Sequence, residues 1–237
     1  MRLFRPASLL IGIMSAALAP WGHARAADNT LPAVLARIDR AAADFKGLSA
    51  DIRKVSHTAV INEDTIDSGK ILVKRVRGHE VRYFTDIGQP NPMKVLVAGH
   101  TAEVYYPNRH AVEVYDLGKY KGLLNQFLLL GFGTNSRELE NAYSVRMGGP
   151  ETVGGQKTTR ITLIPKSPEV QARITRVDLW IADDSDDPGT VVQQRLFEPG
   201  GDYTLATYTN IQVNPSIPEA AMKLEFPKGV QVTHPQR

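Results

Sequence analysis

The chain has 237 residues, enough for one medium domain with a sizeable core. With 42% hydrophobic and 22% charged residues it is neither a disordered nor a collagenous polymer. The absence of cysteine excludes a disulfide framework, a cysteine nucleophile and a lipid-modified cysteine.

The first 26 residues read as a cleavable secretory signal. Arg2 and Arg5 form a positive start, Leu9 to Leu18 an apolar stretch too short to span a bilayer, and Pro20 and Gly22 break it. Ala24-Arg25-Ala26 then fits the small-x-small rule, which places the cut after Ala26. The segment holds three of the 28 basic residues and none of the 25 acids, so residues 27–237 are formally neutral. No global charge argument for nucleic acid or anionic membranes remains. The expectation is one exported domain over residues 27–237, in the periplasm.

Thr30 and Pro32 open a helix whose apolar residues Val34, Leu35, Ile38, Ala42 and Phe45 recur at helical spacing, and Gly47 ends it. From Leu48 the period becomes two. Strands are predicted at Leu48 to Arg53, Gly69 to Val76, Val81 to Asp86, Met93 to Val97, Ala102 to Tyr106 and Ala111 to Tyr115, joined by turns such as Ala98-Gly99-His100. Tyr120 to Phe132 is apolar almost all round, with Leu123, Leu124, Phe127 and Leu128 at its centre. Such a helix is either a core helix or a lid over something apolar; Gly118, Gly122, Gly131 and Gly133 bracket it as candidate hinges. Ser136 starts a short second helix. Strands resume at Tyr143 to Met147, Gln156 to Pro165, Val177 to Ile181, Val191 to Glu198 and Tyr203 to Val213. A helical turn is expected within Pro218 to Leu224. About ten or eleven short strands in meanders, with two or three helices, make one α+β domain without a nucleotide crevice.

No motif of nucleophilic, phosphate-binding or zinc chemistry is present. His57, His79, His100 and His110 are scattered over different strands and turns. In Asp183 to Gly189 no register supplies both the glycine and the glutamate that a calcium-binding loop needs at its sixth and twelfth positions, so it reads as a solvated turn. Neither a metal, a cofactor nor an enzymatic activity is expected. Arg75 is the odd residue. It continues the apolar face of Ile71 and Val73, and either reaches solvent from a strand end or finds backbone carbonyls of a lid.

Gly69-Lys70-Ile71-Leu72-Val73-Lys74-Arg75, Val95 to Asn108, Leu179-Trp180-Ile181, Val192 to Arg195 and Phe226 to Val230 together resemble the LolA-like family of periplasmic outer-membrane lipoprotein carriers. The resemblance spans Ala33 to Val232. It implies a half-open antiparallel β-barrel covered by helices, with an apolar cavity for acyl chains. Arg75 matches the family's lid-gating arginine, and Val81 and Tyr83 match its cavity positions. Departures are Val76, where the family often has proline, and valine rather than a large aromatic at Val81. The cavity is then expected between Ile71, Val73, Val81, Tyr83, Val177, Leu179 and Ile181 below and Leu123, Leu124, Phe127 and Leu128 above. The partners implied are lipidated proteins, an inner-membrane lipoprotein-releasing transporter and an outer-membrane receptor lipoprotein, with the carrier itself a monomer. The alternative is a non-catalytic lipid- or lipoprotein-sensing module of the same shape.

Overall fold

The computed structural model describes residues 29–77, 80–118, 130, 132–184 and 186–235. The expected signal segment and Leu123, Leu124, Phe127 and Leu128 lie outside them.

Twelve strands form one sheet: β1 (Gly47–Thr58), β2 (Glu63–Arg77), β3 (Glu80–Ile87), β4 (Met93–Ala98), β5 (Thr101–Tyr106), β6 (Ala111–Asp116), β7 (Tyr143–Val153), β8 (Gln156–Pro165), β9 (Arg176–Ala182), β10 (Val191–Phe197), β11 (Tyr203–Val213) and β12 (Gln231–Thr233). Their order is β12-β6-β5-β4-β3-β2-β1-β11-β10-β9-β8-β7. Within β1 to β6 and within β7 to β11, each strand pairs antiparallel with its neighbour in sequence. The long-range closures are β1 with β11, antiparallel, and β12 with β6, parallel. The sheet does not close, since β7 and β12 each have one neighbour.

The expected ten or eleven strands are therefore twelve. The strand escaping prediction is β12, whose three residues are too few for an alternating pattern to register. Its pairing begins where the Gln231 N–H donates to the His110 carbonyl at 3.0 Å. Strands β1 and β2 also run farther than their patterns predict. Beyond Ile52 the pattern inverts: Lys54 and Asp67 are register partners on the face that carries Ala50 and Ile71, while Val55 and Ile66 meet on the opposite face. The inward charges pair at 3.1 Å, and the Asn91 amide donates to Asp67 at 3.2 Å.

Curvature comes from irregularities in the ladders. Register shifts fall between Ser49 and Asp51, Arg75 and Arg77, Val191 and Gln193, and Met147 and Gly149. Each such bulge bends its strand and raises the local twist. At Gly69 the neighbouring strand approaches so closely that a Cβ would lie 2.1 Å from the Asp86 carbonyl oxygen; only glycine permits this crossing.

Three α-helices lie in the described residues: α1 (Leu31–Ala43), α2 (Ser136–Ala142) and α3 (Pro168–Gln171). Helix α1 has proline in its first turn and buries Val34, Leu35 and Ile38 on the sheet. Asn135 caps α2 in a full capping box with Glu138. The expected turn in the tail is a 3₁₀ turn at Glu219–Met222. No helix among the described residues is long and apolar enough to cross a membrane.

Candidate functional site

Beneath α1 the inner face of β1, β2, β3, β8, β9, β10 and β11 makes one apolar floor. Ile71, Val73, Val81, Val177, Leu179 and Ile181 are at most 2% exposed and join a single buried cluster, with Tyr83 packed against it. Alternation places them together: Val73 pairs with Leu48 and Tyr83, Leu179 with Ile161 and Gln194. Leu48, Phe45, Tyr208, Leu130 and Phe132 belong to the same cluster. The Phe132 ring meets that of Tyr208 edge-on at 4.9 Å, so the end of the apolar segment 120–132 lies directly on the floor.

Arg75 stands at the rim of this floor. Its guanidinium Nη2 donates to the Gly133 carbonyl at 2.9 Å and lies over the Phe45 ring, 5.5 Å from its centroid. Its backbone N–H donates to the Lys46 carbonyl at 2.9 Å. Gly133 has φ +103°, and a Cβ there would sit 2.6 Å from the Phe45 ring and 2.8 Å from Arg75 Nη2. Glycine thus serves twice, taking a left-handed backbone and leaving room for the arginine to reach the carbonyl. Arg75 is half-buried and its Nε is buried without a partner, so this carbonyl bond is the interaction that compensates a costly position for a charge.

A second fastening holds α1. Arg37 pairs with Asp183 at 2.6 Å, their side chains 7% and 5% exposed, and the Thr159 hydroxyl donates to the same carboxylate at 2.7 Å. The turn from Asp183 is thus not wholly solvated, as its composition implies: its first residue is a buried anchor. A buried pair of this kind fixes position more than it adds stability.

The space left between α1, α2 and the floor is about 20 Å³, bordered by Ile38, Phe45, Leu48, Leu139, Leu179 and Ile181. That volume takes a water molecule at most, far below the ~300 Å³ at which small-molecule pockets begin. Between these residues the floor is closed over by the protein's own side chains. Burial pushes the Tyr83 and Tyr143 phenols up to about 12 and raises that of Tyr208, with the neighbouring Tyr83 adding to the shift.

Elsewhere the chemistry is structural. His57 pairs with Asp64, its register partner on β2, at 2.7 Å and stacks on Tyr203. Trp180, on the face opposite Leu179, is buried in a small outer cluster with Ala182 and Val192. Its indole N–H donates to Glu151 at 2.6 Å, and Arg160 and Arg195 flank its ring. The described residues hold no group of three metal-ligating side chains. Sequence reasoning missed Tyr208 and the partnership of Gly133 with Arg75; the glycine was legible only as a hinge.

No family model matches the chain, and no curated protein matches it in sequence. Solved structures do resemble it. MucB, whose complex with MucA is known from Pseudomonas aeruginosa, aligns with 15% identity and a TM-score of 0.50 over 85% of this chain and 64% of its own; the chain spans just under two thirds of MucB. An uncharacterized conserved protein from Thermus thermophilus aligns with 10% identity and a TM-score of 0.50 over 85% of this chain and 96% of its own. A LolA superfamily protein from Nitrosomonas europaea aligns with 12% identity and a TM-score of 0.39, over 82% and 98%. The likeness to the first two is one of fold.

Proposed function

We propose that this protein is a non-enzymatic periplasmic carrier that shelters the acyl chains of lipidated proteins between its curved sheet and the apolar segment 120–132. It would receive them from an inner-membrane releasing transporter and pass them to an outer-membrane receptor. The observation carrying this reading is the Arg75 guanidinium donating to the Gly133 carbonyl at the rim of an apolar floor. One charged hydrogen bond, worth roughly 1.5–3 kcal/mol, is strong enough to hold a roof and weak enough for a ligand to open it. Each methylene taken out of water returns about 0.8 kcal/mol, so about two to four of them offset the clasp. The clasped arrangement is then the unloaded, closed form, and loading shifts the balance to an open one.

Purified protein incubated with spheroplasts should release lipoproteins into solution. Arg75→Leu should fold, bind cargo more tightly and fail to hand it on, because the closed state loses its bond and roughly ten- to a hundredfold of its weight. Absence of release by the folded wild type would end the carrier reading. The small interior space favours a second reading, a sensing module that binds a protein partner and needs no cavity. Release of lipoprotein decides against that one.

A further inference from the structure

The β1–β2 hairpin ends in a corner whose composition the fold does not explain. Its turn is Ala59-Val60-Ile61-Asn62, where glycine, proline and small polar residues are the usual choice because turn tips face water. Here Val60 is 91% and Ile61 61% exposed. Neither side chain takes part in a buried cluster.

The corner is also held in place. Asn62 adopts a left-handed φ of 51°, and its N–H donates to the Ala59 carbonyl at 3.2 Å. The Ala59 N–H donates to Asp202 Oδ1, on the neighbouring β10–β11 turn, at 2.8 Å. Gly201 of that turn lies so close that a Cβ on it would sit 3.2 Å from that of Ala59. Two aliphatic side chains are therefore presented on a fixed apex.

Charge within the two turns that form the apex has one sign, with the guanidiniums of Arg176 and Arg195 set back over the Phe197 and Tyr203 rings. The turns 59–64 and 198–202 contain Glu63, Asp64, Glu198 and Asp202 and no lysine or arginine. Asp64 is engaged with His57 and Asp202 with the Ala59 amide, while Glu63 and Glu198 are exposed. An anionic lipid surface would repel such a collar. An apolar socket rimmed by lysine or arginine on another protein complements it, and complementarity of this kind fixes both register and partner choice.

We propose that the corner 59–64 is a docking knob for a protein that offers such a basic-rimmed apolar socket. The knob stands apart from the clasp: Glu63 and Arg75 are at opposite ends of β2, twelve residues or about 40 Å along the strand. A partner can hold the knob while the roof moves.

The test places a photo-crosslinking amino acid at Val60 of the full-length protein in cells that make it, and maps the adduct. The expected result is a discrete adduct with another protein, at an apolar surface flanked by lysine or arginine. Its yield should fall about tenfold or more with Ile61→Ser, since a buried isoleucine is lost, and several-fold with the double change Glu63→Lys and Glu198→Lys. Circular dichroism and the thermal midpoint should not move in either variant. Failure to form an adduct, an adduct with a second copy of this chain, or one mapped to a surface without lysine or arginine would each overturn the proposal. So would a blue-shifted emission of Val60→Trp, relative to the parent protein, in phosphatidylcholine vesicles.

Discussion

Gly133 and Arg75 define the clasp at the level of single atoms. A methyl group on Gly133 would collide with both the Phe45 ring and the guanidinium, in a backbone conformation that already costs an L-residue of order 1–3 kcal/mol. Gly133→Ala should therefore loosen the roof without unfolding the sheet, seen as faster amide hydrogen exchange at Thr134 and Asn135; unchanged exchange would show that the junction does not depend on the missing side chain. Arg37 and Asp183 are the opposite case, since both charges are buried. Removing one, as in Asp183→Asn, should cost about 3–5 kcal/mol in urea unfolding, and Arg37→Met with Asp183→Leu should recover most of it. A single-variant cost below about 1 kcal/mol would mean that water reaches the pair. Arg75 was legible as a charge on an apolar face, because alternation exposes it. Its carbonyl partner and the Arg37–Asp183 pair were not, because they join positions 58 and 146 residues apart, and no local pattern encodes such a meeting.

Helices and strands differ in how openly they announce themselves. Helix α2 has a sequence-visible start, and the structure closes its capping box with Asn135 accepting from Glu138 N at 2.9 Å and the Glu138 carboxylate accepting from Asn135 N at 3.3 Å. Asn135→Ala should cost about 1 kcal/mol, measurable by chemical denaturation; α2 packs on the start of β7, so the loss should appear first there. The middle of each long strand was legible from period two. Their ends were not, because the inverted stretch from Lys54 to Asp67 puts charge on the inner face and Val55 and Ile66 on the opposite one. A pattern with the wrong face polar reads as loop. Helix α3 escaped for a different reason: four residues are one turn, and Ser167 and Pro168, which cap it, serve as well in a turn.

Across the whole molecule the inner face carries buried phenols as well as aliphatics. Tyr83 and Tyr143 are held up to about 12 and Tyr208 is raised by burial, whereas in the unfolded chain they ionise near pH 10. Below pH 10 both states keep the proton and the phenols contribute fully. Between about pH 10 and 12 only the unfolded chain releases it, so unfolding gains ground as pH rises. Stability should fall across that window, and Tyr143→Phe should make the fall shallower in denaturant titrations at pH 9, 10 and 11. A fold this open depends on many such inward groups, because its sheet curls without closing and leaves two margins.

Those margins are guarded unequally. At one, β7 carries Gly148-Gly149-Pro150 beside its bulge, so the strand itself spoils the template it would offer a stranger. At the other, β6 keeps an unbroken register with β5, and what screens Ala111 to Glu113 is the three-residue ribbon 231–233. Peel that ribbon away and bare amides face outward along an unbroken ladder, ready to stitch one molecule to the next. The guard of that margin is a strip short enough to fray before anything else in the sheet gives.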